Sequence, residues 1–424
     1  MVTLLIVTLL ICFILTVPIA ISLGFTSLVM LFEKDIPLTA ITQRLFTSID
    51  SFPLMAIPFF ILAGSLMENG GISRRLIDMV NVFVGSRTGG LAMATIFASM
   101  FFSAISGSGP ATAAAIGSIM IPAMTAKKYD VRFAASTQAA AGELGVIIPP
   151  SIPMVLFGIA GGVSISDMFI AGIVPGILVG VSLILVAYVI SRKNGYVGGE
   201  PSTWSERWVA IKRAVLALLM PIIILGGIYG GVFTPTESAV VASAYALIVG
   251  MFIYKEIKWN DLPKIFIQTS IMSAIILIVI ANAGLFGWVL TSEGIPQLIA
   301  DWFIGISSSP IVFLLVINLM LFILGMFFDG GAAIIILAPI LVPIAMELGI
   351  DPVHFGIIMI VNLAMGMITP PVGVNLFVVC QIANIKLESI IRYLLPYLLV
   401  VVIDILLLSY IPPLSMWLVN LLNS

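Results

Sequence analysis

GVIIPPS, residues 145–151, interrupts a stretch that otherwise reads as buried membrane helix. Residues 131–144 before it and 152–163 after it are largely small and apolar. Proline lacks an amide N–H and pushes its predecessor out of α geometry, so adjacent Pro149 and Pro150 break the helix. The same break recurs as GMITPPV, residues 366–372. Two like breaks in one chain point to a repeated fold.

The composition sets the class. The chain has 424 residues, 61% of them hydrophobic and only 9% charged. Its mean hydropathy is +1.24. Soluble domains carry about 25% charged residues. Apolar runs recur that are long enough to cross about 30 Å of hydrocarbon. The dyad alternation of a β-barrel is absent. The expected fold is therefore an all-α polytopic membrane protein. Residues 2–32 lack the basic start of a secretory signal and exceed its apolar length. Cys12 and Cys380 lie inside apolar runs, which predicts buried thiols and no disulfide. No CxxC or Cys/His cluster suggests a metal. The only histidine, His354, follows Asp351-Pro352 at a helix start, open to a structural role or a proton relay. The net charge is −2 and no basic patch supports nucleic-acid binding.

The two Pro-Pro pairs are 370 − 149 = 221 residues apart. In that register Gly109 falls on Gly330, Pro122 on Pro343, Asp130 on Asp351, Gly145 on Gly366 and Pro175 on Pro396. These residues have backbone jobs, and chance hardly aligns so many. The chain thus divides into a first repeat (1–190), a polar linker (191–213) and a second repeat (214–424). Lys/Arg placement sets their relative orientation, because cytoplasmic loops are enriched in both. In the first half the turn with Lys127, Lys128 and Arg132 is basic, and the next turn, 164–167, is not. In the second half the equivalent of the first turn (Leu348, Gly349, Val353) has no basic residue. The equivalent of the second carries Lys386 and Arg392. The positive side has swapped, so inverted repeats are expected. Arg192, Lys193, Arg207, Lys212 and Arg213 then place the linker in the cytoplasm.

Residues 88–126 are apolar but interrupted at 103–112 (SAISGSGPAT), with basic residues on both flanks. They read as a re-entrant helical hairpin entered from the cytoplasm. Residues 310–347, turning at 327–332 (FFDGGA), are its partner, entered from outside. Amphipathic stretches at 72–84 and 295–306 precede the hairpins and are expected along the membrane interface. The count is about ten spans plus two hairpins, if residues 2–32 split near Pro18.

Irregular backbone at membrane depth survives only buried in protein or lining a polar cavity. Paired interruptions at matching positions of inverted halves point to a transporter's central site. Each break frees carbonyls, at 145–148 and 366–369, for a cation. The new helix N-termini offer partial positive charge to an anion. Ser106 and Ser108 at the first tip supply neutral oxygens, which suit sodium better than a proton relay. Asp329 stands where the first half has Ser108, and Thr369 where it has Ile148. An acidic residue in an apolar hairpin is a functional candidate, although Asp329 could also be a plain N-cap. The substrate carboxylate is expected nearer the Ser108 to Thr112 end. Glu237 fits a capping box in TPTE (234–237). Glu143 could orient the first site or face the substrate path, and Asp404 has no partner visible in the sequence.

SGSGPATAAAIGSIMIPAM (106–124), GELGVIIPPSIPMVLFG (142–158), GGVFTPTESA (230–239) and MITPPVGVNLF (367–377) resemble the large membrane subunit of TRAP transporters, the DctM/SiaM type, most of all its sialic-acid members. The likeness covers essentially the whole chain. It implies a sodium-coupled elevator transporter in the bacterial inner membrane, importing an organic acid, with at least two coupling Na+ ions. The partners implied are a small four-helix membrane subunit, expected as a separate chain, and a periplasmic substrate-binding protein. The family's sodium ligands fall on Ser106, Ser108, Gly145, Ile148 and Pro150 for one site, and on Gly325, Gly366 and Thr369 for the other. The substrate set expected around Asp329 is Gly109, Thr112, Gly330 and Asn375. A stand-alone sodium- or proton-coupled carboxylate symporter would show the same breaks. A channel would want rings of charge. An enzyme would want a catalytic cluster, and DDxxD, HExxH and GxSxG are all missing.

Overall fold

The computed structural model describes residues 2–198, 201–306, 309–328 and 330–423, and among these it contains helices and turns but no strand. The first half runs α1 (Val2–Ile14), α2 (Ile19–Glu33), α3 (Leu38–Ile49), α4 (Ala56–Asn69), α5 (Ile72–Val84), α6 (Gly90–Ser106), α7 (Gly109–Ala126), α8 (Val131–Ile147), α9 (Ile152–Ala160) and α10 (Ile165–Lys193). The second runs α11 (Trp204–Tyr229), α12 (Pro235–Ile248), α13 (Leu262–Ser292), α14 (Ile295–Ile306), α15 (Pro310–Gly325), α16 (Gly330–Glu347), α17 (Pro352–Gly366), α18 (Val374–Ala383), α19 (Ile391–Tyr410) and α20 (Pro413–Leu422).

Helices α7 and α16 begin and end 221 residues apart (330 − 109 and 347 − 126). Asp130 and Asp351 occupy the same register and do the same job. Asp130 caps α8 by accepting from Arg132 N at 2.8 Å, and Asp351 caps α17 by accepting from Val353 N at 2.8 Å. Asp130 thereby satisfies one of the donors a helix start leaves open, and Asp351 two, since His354 N also donates to it at 3.2 Å. Helices α6 and α7 pack as a hairpin. Its turn is made by Gly107, whose φ of +61° favours glycine. Helices α15 and α16 pack likewise.

The two broken helices form the centre. From Phe133 to Ile147 every residue of α8 is buried, and so is every residue of α17 from Val353 to Gly366. Helix α8 packs against α6, α7, α10, α17, α18 and α19. That enclosure explains its small residues: Ala134, Ala135, Ala139, Ala140 and Ala141 are fully buried. In a membrane, helices associate through close packing rather than hydrophobic transfer, and small side chains permit the approach. A Cβ at Gly142 would come 2.9 Å from the Ala113 Cβ.

Among the described residues eight helices are long and apolar enough to cross a membrane, nine if α8 and α9, bent by 41°, count as one span. These eight include the hairpin helices α7 and α16, and shorter apolar helices stand beside them, as in a polytopic membrane fold. Residues 2–32 do split before Pro18, but α1 and α2 are each only about 20 Å long at 1.5 Å per residue. The polar linker is also shorter as a loop than 191–213. Thr203 and Glu206 form a capping box that starts α11 at Trp204, and α10 continues to Lys193. Helix α5 buries Ile72, Leu76 and Val80 at helical spacing and turns Arg74 and Asp78 outward. Cys12 and Cys380 are buried and free.

Candidate functional site

At the first break, α8 ends at Ile147 and Ile148 turns extended (ψ 127°). The Pro149–Pro150 bond is cis, and α9 starts at Ile152. The tip of the α6–α7 hairpin is pinned to this break, because Ile152 N donates to Gly107 O at 3.2 Å. Ser151 Oγ donates to Val146 O at 2.6 Å. Ser106 Oγ and Thr112 Oγ1 lie 2.9 Å apart, and Thr112 Oγ1 donates to Ser108 O at 2.9 Å. Gly145 completes the cluster: a Cβ there would sit 2.3 Å from Ser108 O and 2.7 Å from Thr112 Oγ1. The Pro150 carbonyl is 3.0 Å from the Cβ position of Gly107. The donors here are hydroxyl and carbonyl oxygens without formal charge. Among the described residues no group of three or more His, Cys, Asp or Glu could hold a metal ion. The donor set fits a hard cation rather than a transition metal.

At the second break the backbones touch directly. A Cβ at Gly366 would fall 2.2 Å from the Gly325 carbonyl carbon. Thr369 Oγ1 donates to Met365 O at 2.8 Å, and Asn375 N donates to Met367 O at 3.1 Å, tying the start of α18 back to α17. The Pro370–Pro371 bond is cis. Behind it a buried polar chain links three helices: Asn362 Nδ2 donates to Asn318 Oδ1 and Asn318 Nδ2 to Ser409 Oγ, both at 2.9 Å.

Both hairpin tips open onto one cavity of about 780 Å³. Ser106 to Pro110 line it from one side, and Gly330 to Ala332 from the other. Helices α2, α4 and α13 form the facing wall, and no Lys or Arg is among the lining residues. The N-termini of α7 and α16 therefore meet at the cavity.

The sequence model of the family described as "Tripartite ATP-independent periplasmic transporter, DctM component" matches residues 6–414. The chain belongs to this family. It is 46% identical over 403 residues to the "Isethionate TRAP transporter permease protein DctMQ" of Oleidesulfovibrio alaskensis, which covers 95% of this chain and 64% of that protein. The chain thus spans less than two thirds of that relative's length. It is 45% identical to the C4-dicarboxylate large permease protein DctM of Pseudomonas aeruginosa, over 95% of this chain and 94% of the relative. It is 38% identical to the sialic acid large permease protein SiaM of Vibrio cholerae, over 95% of each. Among solved structures, the YdaH transporter of Alcanivorax borkumensis aligns with a TM-score of 0.65 at 17% identity, over 88% of this chain and 87% of that one. That likeness is one of fold. The DctM-family chain is a multi-pass bacterial inner-membrane permease component and not an enzyme.

Ser106, Ser108, Gly145 and Pro150 meet at the first break, with Ile148 beside them, and Gly325, Gly366 and Thr369 gather at the second. Gly109 and Gly330 line the cavity. Thr112 and Asn375 do not line it; both are fully buried behind it. Thr112 belongs to the Ser106–Ser108 cluster, while Asn375 Nδ2 reaches Ala139 O at 3.5 Å. Asp329 lies outside the described residues. Glu237 is accounted for by its capping box with Thr234. Asp404, partnerless in sequence, accepts from Ser182 Oγ at 2.9 Å. Glu143 is fully buried, and among the described residues neither carboxylate oxygen has a partner. His354 Nδ1 lies 2.6 Å from Ser415 Oγ. Gln138, unremarked in the sequence, donates to Thr112 O at 3.1 Å. Its place seven residues before Gly145 puts it on the same helix face, which is the signal that could have found it.

Proposed function

We propose that this DctM-family chain is the large transmembrane subunit of a sodium-coupled, binding-protein-dependent importer of an organic anion. The observation that carries the reading is the shared cavity. Two helix N-termini converge on it, yet no Lys or Arg lines it. An anion at the Ser108 to Thr112 end is stabilised by the partial positive charge of the α7 N-terminus. That partial charge alone leaves the anion uncompensated in a largely apolar site whose lining also includes Glu68. Sodium ions supply the missing charge. Ser106, Ser108, Thr112 and the carbonyls at Gly145, Ile148 and Pro150 would hold one; Thr369 and the carbonyls of Gly325 and Gly366 would hold a second. Coupling then follows from electrostatics, since anion and cations enter together more readily than either alone. The repeats, inverted as the Lys/Arg pattern argues, would carry hairpins and ions past α4 and α13 as an elevator.

As the DctM component of a tripartite system, the chain works with a periplasmic binding protein and a small membrane subunit. The fusion name DctMQ of one relative supports such a partner. For the substrate, the sequence motifs favour sialic acid. The relatives named for isethionate and C4-dicarboxylates share more identity, 46% and 45%, than the one named for sialic acid at 38%. Those two acids are therefore the second reading.

Uptake into proteoliposomes holding the large and small subunits tests the proposal, with and without binding protein and with sodium or proton gradients. Uptake is expected only with a sodium gradient and the cognate binding protein. Ser106→Ala or Ser108→Ala is expected to raise the sodium requirement several-fold. Uptake that follows a proton gradient and ignores sodium overturns the coupling assignment.

A further inference from the structure

The two breaks lie on different helices, yet one residue reaches both. Asn375 is the second residue of α18, the helix that restarts after the second break. Its backbone is held by that break, with the N–H donating to Met367 O at 3.1 Å. Its side chain is fully buried and reaches into the first half, where α18 packs against α7 and α8. The amide fills the space that two glycines leave open. Oδ1 lies 3.4 Å from the Cβ position of Gly109, and Nδ2 lies 3.1 Å from that of Gly142. Met367 Cε meets Gly109 as well, at 3.2 Å from its Cβ position. Gly109 follows Ser108 at the start of α7, and Gly142 lies one turn before Gly145 on α8. Met367 stands between Gly366 and Thr369. The contact therefore joins residues beside the first candidate sodium site to residues beside the second. The fold does not require an amide here. In the repeat register 375 − 221 = 154, and the first half fills that position with Met154, also fully buried. Among the described residues Asn375 Oδ1 has no hydrogen-bond partner, and Nδ2 has only its 3.5 Å contact with Ala139 O. A buried amide so poorly paired is unfavourable, so packing alone does not account for it.

We propose that Asn375 couples the two candidate sodium sites, so that an ion at one break raises the affinity of the other. Its backbone belongs to the loop 366–373 and α18, which an ion at the second break would order. Its side chain presses on Gly109 and Gly142, whose neighbours Ser108 and Gly145 would hold the first ion. Ordering one side thus pre-forms the other. Asn375 is a positioning residue in this scheme and touches neither ion. Couplings between sites amount to about 5- to 150-fold in affinity. For two like sites the half-saturating concentration moves by the square root of that factor, about two- to twelvefold. The inference rests on the breaks being sodium sites.

Calorimetric titration of sodium into the purified complex of large and small subunits, with choline holding the ionic strength, tests it. Wild type is expected to bind sodium with a Hill coefficient well above one. Asn375→Met installs the residue of the equivalent position. It should bring the coefficient close to one and raise the half-saturating sodium concentration about two- to twelvefold, with the number of ions bound unchanged. A second comparison separates coupling from mere support. Ser106→Ala weakens the first site, and in an otherwise wild-type chain it should also weaken sodium binding at the second. In the Asn375→Met background that second effect should vanish. An asparagine that only supports the fold would weaken both sites and leave their mutual dependence intact. The melting midpoint without sodium reports folding, and if Asn375→Met does not assemble, Asn375→Ala takes its place in both comparisons. A wild-type Hill coefficient near one, or a variant that keeps the wild-type coefficient, overturns the coupling. If wild type binds no sodium, the reading of the breaks itself fails, and the coupling with it.

Discussion

A methyl group at position 145 has nowhere to go. It would sit 2.3 Å from Ser108 O, and one at 366 would sit 2.2 Å from the Gly325 carbonyl carbon. Real Cβ atoms do not approach backbone that closely, so each hairpin tip would have to move off its break. Misplacing a binding constellation by an ångström costs up to about a hundredfold. Gly145→Ala and Gly366→Ala are accordingly expected to lower sodium-driven uptake by about tenfold or more while the complex still assembles. Gly287→Ala is the control. A Cβ at 287 meets nothing within 4 Å, and replacing this helical glycine should stabilise by about 0.5–1 kcal/mol. Uptake by Gly145→Ala equal to that of Gly287→Ala would remove the tip–break contact from the mechanism. At this scale the sequence was partly legible. Glycines 145 and 366 could be read because a Pro-Pro break and a repeat register mark them. Thr112 was read as facing substrate, because a threonine one turn past a glycine tip carries no sign of which neighbour its hydroxyl meets. Only the fold brings Ser106 Oγ within 2.9 Å of it. Gln138 was passed over because its partner, a backbone carbonyl, has no signature in sequence.

The broken helices depend on how they begin as well as how they end. Asp130 caps α8, and its carboxylate also accepts from the Arg132 guanidinium, with Nε 2.9 Å from Oδ1. That side-chain hydrogen bond, ahead of the backbone bond and the attraction between the charges, holds the Asp130 carboxyl below its usual range. A depressed carboxylate contributes stability that is present above its unfolded value, near pH 4, and is lost as pH falls through the lower folded value. Arg132 faces solvent and Asp130 is partly exposed, so the pair is worth no more than about 1 kcal/mol. Asp130→Asn keeps the cap and removes the ion pair. Its melting midpoint should lie slightly below wild type at pH 7, and the gap should close as the pH is taken below 4. Asp130→Ala loses the cap as well, at a further cost of about 0.5–2 kcal/mol. A gap that persists unchanged at low pH would mean that the ion pair contributes nothing. Caps, hairpin turns and the Thr234–Glu237 capping box were legible, because each is a local pattern of a few residues. The start of α11 was not: residues 204–213 are polar enough to read as loop, and only the Thr203–Glu206 box shows the helix beginning there.

For the whole molecule the decisive question is the orientation of the halves. The turn after α7 and the turn after α16 occupy equal places in the repeat register, yet only the first carries Lys127 and Lys128. Positive charge is retained on the cytoplasmic side of short loops. Our proposal that the repeats are inverted puts the two turns on opposite faces of the membrane, although the helices before them match residue for residue in length. An elevator needs this arrangement, since two like halves of opposite orientation leave a central site that can be presented to either side. Single cysteines at Lys127, Glu347 and Lys386, all exposed, read out the arrangement. Background is low because Cys12 and Cys380 are buried. A membrane-impermeant maleimide added from the periplasm should label Glu347→Cys and leave Lys127→Cys and Lys386→Cys unlabelled until the cells are opened. Parallel repeats would label the cysteines at 127 and 347 from the same side. In that case the charge swap would be an accident of composition, and the paired breaks would need an explanation other than alternating access.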